Sequence, residues 1–363
     1  SRFGDAHRLV RLRTPGTATV SRRRWLILVV SFGATIGITA YFLRVGFSQP
    51  GPHPTLPLWA HAAAFAAVLL EIVTRSVKIR WAASALRIPL RFDTSLRVCL
   101  GGDFAASITP ARSGAEPARF LFLAEDGIAP APALLILFVE LLLESWTLVA
   151  LCVVFLVVFN GQGGVMGLMT ALIGGYALLV LAAGGAAYVL AHRHARGPGP
   201  LWAASVGLHA GRWRAIQRAL RSLRTNIGAL RHARPGPLIA AFIASVMHVA
   251  LKLVVLPIIA LALDPTLPLS DLVVWPLVFL YGGAVAPAPG GGGAVEFGFQ
   301  FAFSASMAPA VLAGALLWWR FYTFYLYVLL GGVSVGGSVL RALRTKKHGR
   351  LHERAARHDS RNG

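Results

Sequence analysis

The sequence predicts an all-α, polytopic membrane protein with about six full transmembrane helices and two opposed re-entrant hairpins that form an inverted repeat. Three observations lead to this fold class. Apolar residues make up 56% of the 363 residues, charged residues only 13%, and the mean hydropathy is +0.65. Several apolar stretches reach the roughly 20 residues that cross a hydrocarbon core. Two polar, Pro- and Gly-rich segments, 108–119 and 286–296, interrupt this apolar sequence.

The long apolar stretches predict six full spans within a single transmembrane domain of residues 25–340. Irregular backbone at membrane depth persists only where protein or a wet cavity satisfies its polar groups, so the two broken segments are treated separately. The predicted spans cover 25–43, 56–74, 133–158, 165–190, 238–262 and 309–338.

The distribution of basic residues predicts the orientation of these spans. Thirty of the 35 Lys and Arg residues lie in four stretches between or beyond the spans: 1–24, 75–97, 192–236 and 341–363. Such asymmetry indicates cytoplasmic segments, which places both termini on the cytoplasmic side of the cell membrane. Attraction to anionic inner-leaflet head groups accounts for the net charge of +21 without a nucleic-acid partner.

Two shorter segments, 98–132 and 272–308, begin and end on one side in this topology. Legs of about 12–15 residues reach only ~20 Å, short of the ~30 Å core, so each segment is predicted to dip in and return. The order span, hairpin, span over 56–158 then recurs in opposite orientation over 238–338, as in alternating-access transporters. Two thin spans are the alternative for 272–308, and Arg320 interrupts the last span.

The basic linker 192–236 contains no acidic residue. Its apolar residues recur at alternating spacings of three and four, which predicts an amphipathic helix on the inner leaflet. A coiled-coil seam is the alternative interpretation. The apolar positions are Trp213, Ile216, Leu220, Leu223, Ile227 and Leu230.

The first broken segment has the composition of an anion site. Pro110 breaks the helix, so we expect free backbone N–H groups at the start of a half-helix near Gly114. The guanidinium groups of Arg112 and Arg119 suit a phosphate, with Glu116 holding one of them in place. The alternative is an internal Arg–Glu clamp that only closes the hairpin.

The second broken segment contains four consecutive glycines after Pro289. Gly290, Gly291 and Gly293 allow positive φ angles and close backbone approach, but the Lys-Ser/Thr of a phosphate-binding loop is missing. Glu296 either caps the following helix at its positive dipole end or forms a cation or proton site at the tip. Both interpretations remain open.

Isolated charges at membrane depth cost about 2.5–3.5 kcal/mol and are candidates for function. Glu140 and Glu144 share a helix face, so they could raise each other's pKa for proton coupling or pair with Arg112, Arg119 or Lys252. Lys252 itself needs a partner. The candidates for that partner are Glu71, Glu140 and Glu296.

Catalytic motifs are missing from the sequence. Neither GxSxG nor HExxH occurs, and no dense Asp cluster suggests metal-bound pyrophosphate. Cys99 and Cys152 have no partner spacing for a disulfide or a metal. We therefore predict no enzyme, no metal and no cofactor; an intramembrane lipid-modifying enzyme would have only Glu140 and Glu144 as its acid–base pair.

Three motifs stand out in combination: Thr109-Pro110-x-Arg112-x-Gly114 followed by Glu116 and Arg119, Glu140-x-x-x-Glu144, and Pro289-Gly290-Gly291-x-Gly293-x-x-Glu296. Over about residues 25–340 the chain thereby resembles the lysylphosphatidylglycerol synthase transmembrane region, a family of flippase-like membrane proteins. The family's span motif reads Glu-Arg-x-x-Asp. Leu141 and Glu144 replace its Arg and Asp here, so no role of that Arg is carried over.

The resemblance implies translocation of a lipid between leaflets, such as a phospholipid, an aminoacylated lipid, a polyprenyl phosphate or a hopanoid-type lipid. The residues after 338 leave no room for the soluble synthase that some family members carry, so we expect a stand-alone translocator. The alternative is a membrane scaffold whose basic inner face recruits a lipid-synthesis enzyme. Cargo, direction, coupling ion and oligomeric state are not predicted.

Overall fold

The computed structural model describes residues 22–49, 55–159, 164–193, 213, 217, 221, 233–283, 286 and 288–337. Across these residues the regular structure is helical, and the fold is all-α as predicted. Most of the predicted linker helix at 192–236, the tail 341–363 and nearly all of segment 1–24 lie outside the described residues.

The described residues of the first half of the chain form six helices. They are α1 (Arg22–Phe47), α2 (Leu58–Ala85), α3 (Phe92–Ile108), α4 (Ala115–Glu125), α5 (Pro130–Val158) and α6 (Gly164–Arg193).

In the second half, the described residues form six more helices and two π-helical turns. The helices are α7 (Pro235–Leu253), α8 (Val255–Leu263), α9 (Leu269–Leu277), α10 (Ala294–Phe303), α11 (Pro309–Arg320) and α12 (326–337). The π-helical turns are Val278–Gly282 and Phe321–Tyr325.

Four helical segments in the described part are long and apolar enough to cross a membrane: Val29–Phe47, Pro130–Val158, Gly167–Ala186 and Pro235–Leu263. They coincide with four of the six predicted spans. The other two predictions fall on α2, which carries four charged residues, and on the helical run 309–337, which contains Arg320 and the π-helical turn Phe321–Tyr325. The six-span count therefore stays a prediction for these two.

Helix α2 extends eleven residues beyond the predicted end of its span, to Ala85. Glu71, Arg75 and Lys78 lie four and then three residues apart, so they share one face of this helix. That face is buried, and Arg75 and Lys78 are only 3% and 0% exposed. The prediction that the basic linker begins at residue 75 is therefore wrong, because Arg75 and Lys78 lie within α2, where carboxylates of neighbouring helices neutralise them.

Proline positions explain several helix boundaries. Helices α5, α7 and α11 have Pro in their first turn, where the missing N–H group has no intrahelical partner to lose. Pro276 lies inside α9, directly before the π-helical turn Val278–Gly282. Because Pro276 cannot donate to the preceding turn, the hydrogen-bonding pattern shifts there.

The two broken segments form the tips of two helical hairpins. Helices α3 and α4 pack against each other on either side of residues 109–114. Helix α9 with its π-helical turn, and α10, flank residues 283–293. The tips meet in an isolated antiparallel bridge between Pro110 and Pro289. The membrane face from which each hairpin enters stays a prediction.

Three apolar clusters hold these elements around a polar centre. One joins the first half of α2 to α8–α12, the second joins the rest of α2 to α3, α4 and α5, and the third joins α5 to α6, α7 and α9. Helix α2 packs along α7, so a long helix of each half lies beside one of the other half.

Candidate functional site

Two adjoining cavities lie beside the joined hairpin tips. Their volumes are about 70 Å³ and about 210 Å³. Arg112, Lys252 and Leu280 line both cavities and form their common boundary. The smaller cavity, hereafter the inner cavity, reaches Gly290 of the second tip, and the larger one, the outer cavity, reaches Glu116 and Glu144.

The first tip is a tight turn with left-handed backbone at two successive residues. Ala111 and Arg112 have φ angles of 48° and 53°. The Ala111 N–H group donates to the carbonyl oxygen of Ala286 across the tip junction at 3.1 Å. Within the turn, Gly114 N–H donates to Thr109 Oγ1 at 2.9 Å.

These contacts correct the expectation of free backbone donors. Ser113 and Ala115 also donate within the turn, to the carbonyl oxygens of Pro110 and Arg112 at 3.1 and 3.0 Å. The break therefore satisfies most of its N–H groups internally. An anion at this tip would therefore have to be bound by side chains rather than by the start of a half-helix.

The two arginines of the first motif have different environments. Arg119 is buried, and its Nη1 lies 3.3 Å from carboxylate oxygens of both Glu116 and Glu140. It forms the internal clamp that was the alternative interpretation. Arg112 is partly exposed to both cavities, and its side chain has no hydrogen bond or ion pair with any described residue. The two arginines therefore differ in their contacts: carboxylates hold Arg119, whereas Arg112 faces the two cavities.

An ionic layer connects α2 to its neighbours. Arg75 forms a bidentate pair with Asp103 of α3 and lies 3.4 Å from Glu71. Tyr327 of α12 donates to Glu71 at 2.7 Å. Every charged group in this part of the layer has an opposite charge in contact, as buried ions require.

The carboxylates of α5 complete the layer. Lys78 Nζ lies 3.3 Å from Glu140 and 3.6 Å from Glu144. Tyr281, in the π-helical turn after α9, donates to Glu144 at 2.9 Å. The interpretation of Glu140 and Glu144 as ion-paired is supported, but Lys78 is a partner that the sequence analysis did not consider.

Lys252, like Arg112, lines the cavities and has no carboxylate partner among the described residues. Among the described residues, no carboxylate lies within ion-pair distance of it, so Glu71, Glu140 and Glu296 do not fill the expected role. Its Nζ lies 5.7 Å from the centroid of the Tyr327 ring, a distance compatible with a cation–π contact. Its side chain lines both cavities, as that of Arg112 does.

Glu296 of the second tip is fully engaged. It accepts the N–H group of Gly293 at 2.8 Å, which caps α10, and the Thr39 hydroxyl at 2.8 Å. Arg320 Nε lies 2.7 Å from the same carboxylate, and Arg320 Nη1 donates to the carbonyl oxygen of Gly290 at 3.0 Å. These contacts favour the capping interpretation over a cation site.

The glycines of the second tip adopt the conformations for which they were predicted. Gly290, Gly291 and Gly293 have φ angles of 58°, 69° and 84°. A Cβ atom at Gly290 would collide with the ring of Phe324. The tip therefore needs glycine both for its backbone angles and for close packing.

Several residues of the site were missed by the sequence analysis. The spacing of Glu71, Arg75 and Lys78 on one helical face was a usable signal for two of them. Tyr281 and Tyr327 gave no signal, because aromatic residues are common in membrane helices. His248 lines the outer cavity and is 2% exposed. In the described part of the chain, no group of three or more His, Cys, Asp or Glu side chains is arranged to hold a metal ion.

Comparison with known proteins gives one finding. A search of the curated proteins finds no match. A family model described as the lysylphosphatidylglycerol synthase TM region matches residues 24–331, which include both hairpins and the ionic layer. The match covers most of the chain and includes the residues of the motifs at both tips. The protein is therefore a multi-pass integral membrane protein that belongs to the lysylphosphatidylglycerol synthase TM region family.

Proposed function

We propose that this protein is a lipid translocator that moves a lipid with an anionic, phosphate-bearing head group between leaflets. Membership of the family supports a role in handling lipids in the membrane. The observation that carries the proposal is the pair Arg112 and Lys252, two cations that face shared cavities and have no carboxylate partner among the described residues.

The neighbouring cations differ from Arg112 and Lys252 in having carboxylate partners. Arg75, Lys78, Arg119 and Arg320 each contact at least one carboxylate. Leaving a charge uncompensated at membrane depth costs about 2.5–3.5 kcal/mol. A phosphate bound between a guanidinium fork and an ammonium group would offset that cost through charge-assisted hydrogen bonds.

The tip junction suggests how such a lipid would pass. In the proposed topology both termini are cytoplasmic, and the hairpins enter from opposite faces as halves of an inverted repeat. The Pro110–Pro289 bridge then lies between the two entrances, with the polar cavities beside it. Separating the tips would open a polar route for the head group while the tails remain in the bilayer, as in alternating access.

The two alternative functions, an enzyme and a scaffold, explain these features less well. An intramembrane enzyme would need Glu140 and Glu144 free for acid–base chemistry, but Lys78 pairs with both. A scaffold that recruits a lipid-synthesis enzyme would depend on 192–236 and 341–363, and it gives no reason for two uncompensated cations in a cavity. We therefore propose a transporter rather than an enzyme or a scaffold.

The test is leaflet exchange in proteoliposomes. Vesicles would contain a fluorescent anionic phospholipid, and a membrane-impermeant quencher would report its arrival in the outer leaflet. We expect the wild type to exceed protein-free vesicles, and Arg112→Gln and Lys252→Met to fall to the protein-free rate. Both variants should unfold at wild-type temperature, because neither leaves a buried carboxylate without its partner.

Arg80→Gln is the matched control for removal of a basic side chain. Arg80 is exposed and lies outside both cavities, so this variant should exchange lipid at the wild-type rate. Wild-type exchange by well-folded Arg112→Gln and Lys252→Met would contradict the assigned site. A wild type that exchanges neither anionic nor zwitterionic lipid, with or without an imposed ion gradient, would contradict translocation and favour the scaffold.

A further inference from the structure

An open apolar groove of about 400 Å³ lies on the outside of the second hairpin. Apolar side chains and glycines line it throughout. Its walls come from α6, from α9 with its π-helical turn, and from α10. Its lining includes Leu168, Trp275, Val278, Phe297, Gly298 and Phe301.

The groove adjoins the inner cavity. Phe279, Gly283 and Val295 line both spaces. A wall one residue thick therefore separates the apolar groove from the charged cavity. Arg112 and Lys252 lie on the cavity side of this wall. The pair of spaces is therefore amphipathic, with positive charge on one side and hydrocarbon-like surface on the other.

We propose that this groove holds a hydrocarbon chain of the same lipid whose phosphate-bearing head group binds Arg112 and Lys252. This inference rests on the proposed function and adds to it a binding site for the tail. A single lipid would bridge the wall formed by Phe279, Gly283 and Val295, so that its head group and tail are recognised together.

The shape of the groove favours a flexible chain. Gly282, Gly283 and Gly298 contribute no side chains to the lining. A Cβ atom at Gly298 would already lie 3.3 Å from the Phe279 ring, so any larger side chain there would fill the space. On the open side, Phe297 and Phe301 are 64% and 80% exposed, which leaves the groove accessible from the surrounding bilayer.

The first test locates the tail directly in the wild-type protein. An anionic phospholipid with a photoreactive diazirine in its acyl chain would be cross-linked in proteoliposomes, and labelled peptides would be identified by mass spectrometry. The lipid-exposed residues Val153, Val154 and Val157 of α5 provide a reference for non-specific contact. We expect residues 294–301 to be labelled more strongly than this reference.

The same labelling separates a bound lipid from general bilayer contact. If one lipid spans both spaces, Arg112→Gln and Lys252→Met should lower labelling of the groove to the reference level without changing the reference. Labelling that is unchanged in these variants would overturn the proposal. Labelling at or below the reference in the wild type would also overturn it, as expected if a second copy or another segment of the chain covers the groove.

The second test blocks the groove. Gly298→Leu should reduce both groove labelling and lipid exchange, whereas Gln300→Leu adds the same side chain at an exposed position of α10 outside the groove and should change neither. Thermal unfolding would confirm that both variants fold. Full exchange by folded Gly298→Leu would overturn the tail site while leaving translocation intact. The wild type could instead exchange no lipid while its groove labelling still depends on Arg112 and Lys252. That result would support lipid binding in the groove and contradict translocation.

Discussion

The cations in the centre of this protein fall into two groups that differ in their partners. Arg75, Lys78 and Arg119 are buried against carboxylates, whereas Arg112 and Lys252 have no carboxylate of a described residue within ion-pair distance. The first group resembles the ion pairs that stabilise a folded interior only as long as both partners remain. In the proposed function, the second group binds the anionic head group. The two groups should therefore respond differently to removal of charge.

Lys78→Met should destabilise the fold strongly. Lys78 is 0% exposed and lies between Glu140 and Glu144, so its loss would leave buried carboxylates under-compensated, at a cost of about 3–5 kcal/mol. Arg80→Met is the matched control, because Arg80 lies on the exposed, opposite face of the same helix. Unfolding in detergent micelles, followed by tryptophan fluorescence, would compare them. Equal stability of the two variants would contradict the described role of Lys78.

At the scale of elements, the second hairpin tip depends on its packing against α11 and the π-helical turn that follows. Arg320 ties the capping carboxylate of Glu296 to the Gly290 carbonyl, and Phe324 lies against Gly290. Both π-helical turns also line the inner cavity, through Leu280 and Thr323. Such turns re-aim side chains within a helix and often occur at functional sites.

Gly290→Ala should destabilise this tip. Gly290 has a φ angle of 58° and no room for a Cβ atom, and left-handed backbone costs other residues about 1–3 kcal/mol before any collision is counted. Gly174→Ala is the control, because Gly174 lies within helix α6 with open space around it. That change should be neutral or stabilising by about 0.5–1 kcal/mol. Unfolding free energies of the two variants would be compared, and a larger loss in Gly174→Ala would contradict the assignment.

At the scale of the whole molecule, two of the contacts between the halves bear on the proposed movement. Helices α2 and α7 pack along each other, and the hairpin tips pair through Pro110 and Pro289. The first contact is long and side-chain mediated. The second is a small backbone contact that few interactions hold, so the proposed movement would occur at the tips rather than between the long helices.

Locking the tips together should stop lipid exchange. In the antiparallel register, Ala111 lies opposite Ala288, next to the Pro110–Pro289 bridge. We expect that Ala111→Cys/Ala288→Cys, joined by a short reducible thiol cross-linker, exchanges lipid at the protein-free rate and recovers on reduction. The background would carry Cys99→Ala and Cys152→Ala, because both native cysteines are free thiols. Each single-cysteine variant treated with the same reagent is the control, and full exchange by the cross-linked protein would contradict tip separation.

The predictions from sequence succeeded where a local pattern carried the information. Apolar length and composition predicted an all-helical membrane protein, and Pro110, Pro289 and the glycine run predicted where the two hairpin tips lie, because backbone geometry is set by nearby residues. Positive φ at Gly290 follows for the same reason. The motifs at both tips were also sufficient to identify the family.

The tertiary structure alone decided which charges are neutralised. Arg75 and Lys78 were assigned to a cytoplasmic linker because the positive-inside rule counts basic residues without their partners, and their carboxylates lie on other helices. Arg112 and Arg119 looked equivalent in one motif, yet only Arg119 reaches Glu140 on α5. Pairing between groups distant in sequence depends on how helices pack. The sequence by itself therefore determined the membrane fold and the position of the breaks. Packing decided that Arg112 and Lys252, among the described Lys and Arg residues that line the cavities, have no carboxylate at ion-pair distance.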